Sequence, residues 1–225
     1  MPASQSPIRS VALACTITVS TNAAGQQSLS GTTGNDTFTA DTDASTVDLL
    51  DISQDGNDTV VFTTAAGGFT ITGFNVDDTG ANSDVLDIRA FSSSLNNEHV
   101  GSNAEVTFQY YSNTNTDLVG EVIVFTELLS GSAAGIASVF NFSIDGVKIN
   151  ELLDSATGDG GTNDLLFVIA NDGDTATNIW RWQDANDDGD VASGELSLVA
   201  TLEGITSANL VSSNSAYLGS EDFLI

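Results

Sequence analysis

The chain has 225 residues with 31 acidic and only 4 basic side chains, a formal net charge of −27. Such a charge repels nucleic-acid phosphates and anionic membrane surfaces over about a Debye length, which excludes nucleic-acid binding as the function. Apolar residues make up 40% of the chain, enough for a real core, and no run approaches the roughly 18 apolar residues of a membrane span.

In chain order, residues 1–28 read as a lead segment. It holds the single cysteine, Cys15, so an internal disulfide and a cysteine-rich zinc site are both ruled out. Residues 15–19 are expected to form an early strand, and the apolar stretch after Arg9 is too short for an export-signal core. Residues 59–62 and 69–74 are β-rich, and Ala65-Ala66-Gly67-Gly68 between them reads as a hairpin turn. Further strands are expected at 106–111, 121–125, 165–170, 178–183 and 196–202, the last with Leu196, Leu198, Ala200 and Leu202 on one face. One helix is expected at 132–142, where Ile136, Val139 and Phe140 follow helical spacing and Ser130 or Ser132 supplies the N-cap. No linker marks a sharp boundary; the weakest seam lies near Asn96.

Two patterns carry chemistry. The first is a nonapeptide repeat of the kind that builds parallel β-rolls, in which glycines permit the turn, an aspartate supplies a ligand and an apolar residue points inward. Gly31-Thr32-Thr33-Gly34-Asn35-Asp36-Thr37-Phe38 matches it fully, and Ser53-Gln54-Asp55-Gly56-Asn57-Asp58-Thr59-Val60 keeps its later half. Between them, residues 40–47 keep the nine-residue step but carry Asp43 and Ser45 in the motif places. An ideal roll turn takes about eighteen residues, so the wider separation of Gly34 and Gly56 implies a degenerate roll of one to one and a half turns with an insertion. Gly34, Asp36, Gly56 and Asp58 are the candidate metal residues, with one Ca2+ between the two turns.

The second pattern is Asp184-Ala185-Asn186-Asp187-Asp188-Gly189-Asp190-Val191-Ala192-Ser193-Gly194-Glu195, which fits the twelve-position EF-hand loop at every diagnostic place. Asp184, Asn186 and Asp188 offer side-chain oxygens, Asp190 its backbone carbonyl and Glu195 a bidentate carboxylate, with water at Ala192 and Val191 anchoring the loop. The flanks are β-branched, aromatic or alternating, so the loop is expected to join two strands and act as a staple rather than a helix-opening sensor.

The repeats, followed by Ile71-Thr72-Gly73-Phe74 and Ser83-Asp84-Val85-Leu86-Asp87-Ile88, resemble the calcium-binding repeats-in-toxin (RTX) family over residues 30–91. That resemblance implies a roll end near Asp84 and Asp87, with Asp87 in a terminal calcium site; the insertion at 77–82 departs from the family's compact form. The ending Glu221-Asp222-Phe223-Leu224-Ile225, in a stretch without lysine or arginine after Arg181, is similar to the uncleaved C-terminal signal of type I secreted proteins. Read by itself, it is a last edge strand.

Enzyme chemistry finds no foothold. His99 is the only histidine and lacks the second histidine of a zinc-protease helix, Ser132 does not sit in a nucleophile elbow, and no phosphate loop or dinucleotide fingerprint occurs. Trp180 and Trp182 share one face of a strand, where core packing is favoured over a glycan-stacking ridge, and Tyr110 and Tyr111 face opposite sides.

The fold expected is mainly β: a short, degenerate parallel β-roll at 29–95, then a β-sandwich-like region with one short helix at 96–211, and a secretion signal at 212–225. The function expected is an extracellular calcium-binding structural or surface protein of a Gram-negative-type bacterium, such as a surface-layer, matrix or adhesive subunit. Calcium would drive its folding after passage through a type I secretion apparatus, with self-assembly or a cell-surface polysaccharide as further partners. The alternative is a calcium-dependent folding and secretion module related to those of secreted hydrolases or adhesins.

Overall fold

The computed structural model describes residues 18–21, 27–32, 34–40, 44–49, 56–63, 67–76, 83–92, 94–95, 106–111, 118, 120–129, 131–142, 149–153, 164–186, 188–211 and 217–225. Cys15, the seam near Asn96 and His99 lie outside them, as do Ser130 and Asp187. The fold is mainly β, with parallel strands in two sheets and few helices.

The N-terminal part is a parallel roll. After β1 (Thr18–Thr21), the strands β2 (Gln27–Ser30), β4 (Ala44–Asp48) and β6 (Phe69–Thr72) enter a nine-stranded sheet. Between them, β3 (Thr37–Ala40), β5 (Thr59–Phe62) and β7 (Val85–Asp87) enter a four-stranded sheet. Within each set the strands pair in parallel, Thr46 with Thr70 in the large sheet and Thr37 with Thr59 and then Val85 in the small one. The roll therefore runs further than the two motif matches, because β4, β6 and β7 keep inward apolar residues where the motif letters are lost. β3, β5 and β6 alternate strictly, and Phe38, Val60, Val47 and Ile71 face the core between the sheets. Each such side chain contributes about 1.5–3 kcal/mol by leaving water.

The hairpin expected around Gly67-Gly68 does not form, because β5 and β6 belong to different sheets. Val60, Phe62, Phe69 and Ile71 all point into one core, so the chain turns a corner of the roll and brings Phe62 and Phe69 to 5.6 Å between ring centroids. Gly68, at φ +59, makes that corner and donates its N–H to the Leu198 carbonyl.

The C-terminal strands extend the same large sheet. A short helix α1 (Arg89–Ser92) leaves the roll, followed by β8 (Phe108–Tyr110), β9 (Val122–Leu129), α2 (Ala133–Phe142), α3 (Ile149–Leu153), β10 (Asp164–Asn171), β11 (Ala176–Gln183) and β12 (Leu196–Glu203). β12 pairs in parallel with β6, fusing both halves in the order β1-β2-β4-β6-β12-β11-β10-β9-β8. β10 is buried on both faces, one against the roll core and one against α2 and α3, which explains its unbroken apolar run. The helix begins where expected, with Ser132 Oγ accepting the Gly135 N–H, while α1 and α3 were not foreseen.

Leu196, Leu198, Ala200 and Leu202 do not share a face. The pairing of β11 with β12 shifts between Ile179 and Trp180, so Leu196 and Leu198 pack on the helical side while Ala200 and Leu202 enter the roll core. One extra residue in a strand inverts its alternation. Trp180 and Trp182 do face one side, and both are buried there, Trp182 stacked on Phe167 at 5.8 Å; they are core, not a glycan ridge. Tyr110 and Tyr111 pack on opposite faces.

A turn at Ser220–Asp222 leads into β13 (Phe223–Leu224), which pairs in parallel with β7 and completes the small sheet in the order β13-β7-β5-β3. Phe223 is buried and meets the Phe108 ring at 5.1 Å. Asp222, also buried, accepts hydrogen bonds from Ser83 Oγ at 2.7 Å and from the Gly219 N–H at 2.9 Å. The C-terminal segment is thus a structural strand of the roll. Phe223→Ala should cost about 3 kcal/mol in urea unfolding, whereas Leu224→Ala, at a position 40% exposed, should stay within about 0.5 kcal/mol.

Candidate functional site

The loop 184–195 joins β11 to β12, two strands as expected. Its ends are pinned: the Gln183 N–H donates to the Glu195 carbonyl at 3.1 Å, and the Glu195 N–H to the Ala192 carbonyl at 3.0 Å. Gly189 takes φ +71, the left-handed conformation that its place in the loop requires. Asp184 is buried, and its two oxygens accept the Asp188 N–H at 3.3 Å and the Gly189 N–H at 3.0 Å, folding the loop back on its first residue. Asp188 accepts the Asp190 N–H at 2.9 Å and the Asn186 side-chain amide at 2.8 Å. Val191 is fully buried in the helical-side core and anchors the loop.

Glu195, the twelfth position, turns inward. One of its oxygens accepts the Ala192 N–H at 3.1 Å and the indole N–H of the buried Trp182 at 3.2 Å. The loop is therefore tied to an aromatic core residue, a link with no signature in the twelve-position pattern. The donor set of Asp184, Asn186, Asp188, the Asp190 carbonyl and Glu195 is all hard oxygen, the chemistry that suits Ca2+. Among the described residues no three His, Cys, Asp or Glu side chains converge into a ready-made metal cluster. The loop carboxylates are instead spent on nearby N–H groups.

The roll carboxylates are arranged differently. Asp36, Asp58 and Asp84 stack at one corner of successive coils, all buried. The Asp36 N–H donates to Asp58 Oδ1 and the Asp58 N–H to Asp84 Oδ1, both at 2.8 Å. At one end Asp36 Oδ2 accepts the Thr32 N–H at 2.6 Å; at the other, Asp84 Oδ2 accepts the Asn75 N–H at 2.9 Å. Asp58 and Asp84 thus each clamp a coil to its neighbour through a charge-assisted bond, while Asp36 closes its own turn. The motif glycines differ in role. A Cβ on Gly56 would lie 2.4 Å from the Asn35 nitrogen and 2.7 Å from the Gly34 carbonyl carbon, while Gly34 has open space around it.

Asp87 does not join this column. It holds Arg89 through both oxygens, at 2.9 and 2.6 Å, and accepts its N–H as well. The Arg89 guanidinium keeps the Asp87 carboxyl below the usual carboxylate range. A second ion pair, half-buried Arg181 with buried Asp164, fixes β11 to β10, and Arg181 also reaches Ser94 Oγ at 2.9 Å. Glu121, buried beside β9, accepts the Thr107 N–H at 2.8 Å and its hydroxyl at 2.6 Å.

Comparison with protein-family models, with curated proteins and with solved structures gives no match to this chain.

Two outcomes follow. Gly56→Ala should destabilise the roll by about 1–3 kcal/mol through backbone overlap, and Gly34→Ala should stay within about 0.5 kcal/mol, as measured by denaturant unfolding. Because the folded pKa of Asp87 is depressed, its contribution is present above the ordinary value of 3.8 and is lost as pH falls through the lower folded value. Arg89→Ala should bring the Asp87 titration, followed by carboxyl carbon NMR, back up toward that ordinary value.

Proposed function

We propose that this is an extracellular, calcium-stabilised structural or surface-associated protein, akin to the RTX family, whose folding is completed by calcium after type I secretion. The observation that carries this reading is the pinned 184–195 loop, in which Asp184 and Glu195 sit at the two ends of one hairpin. Asn186, Asp188 and the left-handed Gly189 lie between them. The parallel roll and its column of aspartates support the kinship. In this reading Asp36, Asp58 and Asp84 chiefly join coils, and the loop is the principal calcium site.

The physics is a balance of charge. At −27, with three buried aspartates in one column, the calcium-free chain repels itself and resists compaction. A cation bound only by the folded form adds stability by mass action, about 2.7 kcal/mol when its concentration is a hundred times Kd. Low cytoplasmic calcium would keep the chain loose for export, and external calcium would close it. In this reading the protein has a surface-layer, matrix or adhesive role, with self-assembly or a surface polysaccharide as partner.

The test is a calcium titration of chelator-treated protein followed by circular dichroism and light scattering, with magnesium and sodium chloride as controls. Cooperative gain of β structure specific to calcium is expected, with particle growth marking assembly. Glu195→Gln should weaken the response by at least about tenfold. A chain equally folded in chelator, or folded as well by sodium chloride, would overturn the proposal.

A further inference from the structure

Asn150, on α3, is 5% exposed and uses its whole side-chain amide on groups outside its own helix. Its Nδ2 donates to Asp190 Oδ1 at 2.9 Å and to Asn141 Oδ1 of α2 at 2.7 Å, and its Oδ1 accepts the Val191 N–H at 3.3 Å. Asp190 in turn donates its N–H to Asp188. The helical layer is thereby wired to the middle of the 184–195 loop.

The peptide that Asn150 grips is the one between Asp190 and Val191. A trans peptide is planar, with its N–H and C=O pointing in opposite directions. Holding the Val191 N–H toward α3 therefore turns the Asp190 carbonyl away from the helix. That carbonyl is the one backbone ligand which the twelve-position pattern assigns. We infer that Asn150 is a positioning residue for the calcium loop, aiming the Asp190 carbonyl at the ion and coupling occupancy to α2 and α3. This inference rests on the calcium reading of that loop.

Two measurements test it: calcium affinity by titration calorimetry, and the number of waters on a bound europium ion, taken from luminescence lifetimes in water and deuterium oxide. Outer partners that orient ligands are typically worth about 10–100-fold in metal affinity, so Asn150→Ala should lose that much and admit about one additional water. A purely structural role would alter stability without altering the water count. The exchanged pair Asn150→Asp with Asp190→Asn keeps net charge, an acceptor for the Val191 N–H and a donor across the pair. It should return affinity to within about threefold of the parent and restore the water count.

Unchanged affinity and hydration in Asn150→Ala would overturn the inference while leaving the calcium reading intact. Should that variant fail to fold, the exchanged pair decides: a folded pair with an additional water and weak binding would also overturn it. Parent protein that takes up no calcium would sink both readings.

Discussion

Each coil of the roll is held to its neighbour by a carboxylate that accepts the backbone N–H of the preceding coil's aspartate. Asp58 does this for Asp36, and Asp84 does it for Asp58, in a buried column at one corner of the molecule. Buried charges are costly unless hydrogen-bonded, and here Asp58 and Asp84 each accept an N–H from the coil before them, while Asp36 accepts from Thr32 of its own turn. The arrangement makes the coils interdependent. It also concentrates negative charge in a chain that already carries a large excess, so compaction depends on the N–H donors being in place.

That constraint reaches the rest of the fold through the large sheet. β12 pairs with β6 of the roll on one side and with β11 on the other, so the hairpin carrying the 184–195 loop is built directly onto the roll. The C-terminal strand then closes the small sheet, its Asp222 bound to Ser83 beside the foot of the carboxylate column. Roll, 184–195 loop and chain end therefore share a continuous hydrogen-bonded framework, with one apolar core between the sheets and a second under the helices.

Much of this was legible locally. Strand β5 and the helix α2 follow from alternation and three-and-four spacing, and the loop from its oxygen residues at fixed steps around Gly189. The corner at Gly67-Gly68 was misread because strand, glycine turn and strand look the same in a hairpin and in a roll; only the shared inward direction of Phe62 and Phe69 separates them. The slip near Trp180 left no composition signal, since one residue suffices to reverse a face. Asn150 was invisible for another reason: its partners Asp190 and Val191 lie 40 and 41 residues away, and a lone asparagine in a short apolar segment carries no pattern. The bond between Ser83 and Asp222 spans 139 residues and is equally silent in the sequence.

The central claim is that calcium in the 184–195 loop consolidates the hairpin and everything built on it. Amide hydrogen exchange by mass spectrometry, in calcium and in chelator at matched ionic strength, tests this most directly. The account predicts that calcium selectively slows exchange in β11, β12 and α3, and then in the roll strands joined through β6. Identical exchange in the two conditions, or protection confined to segments remote from the loop, would contradict it.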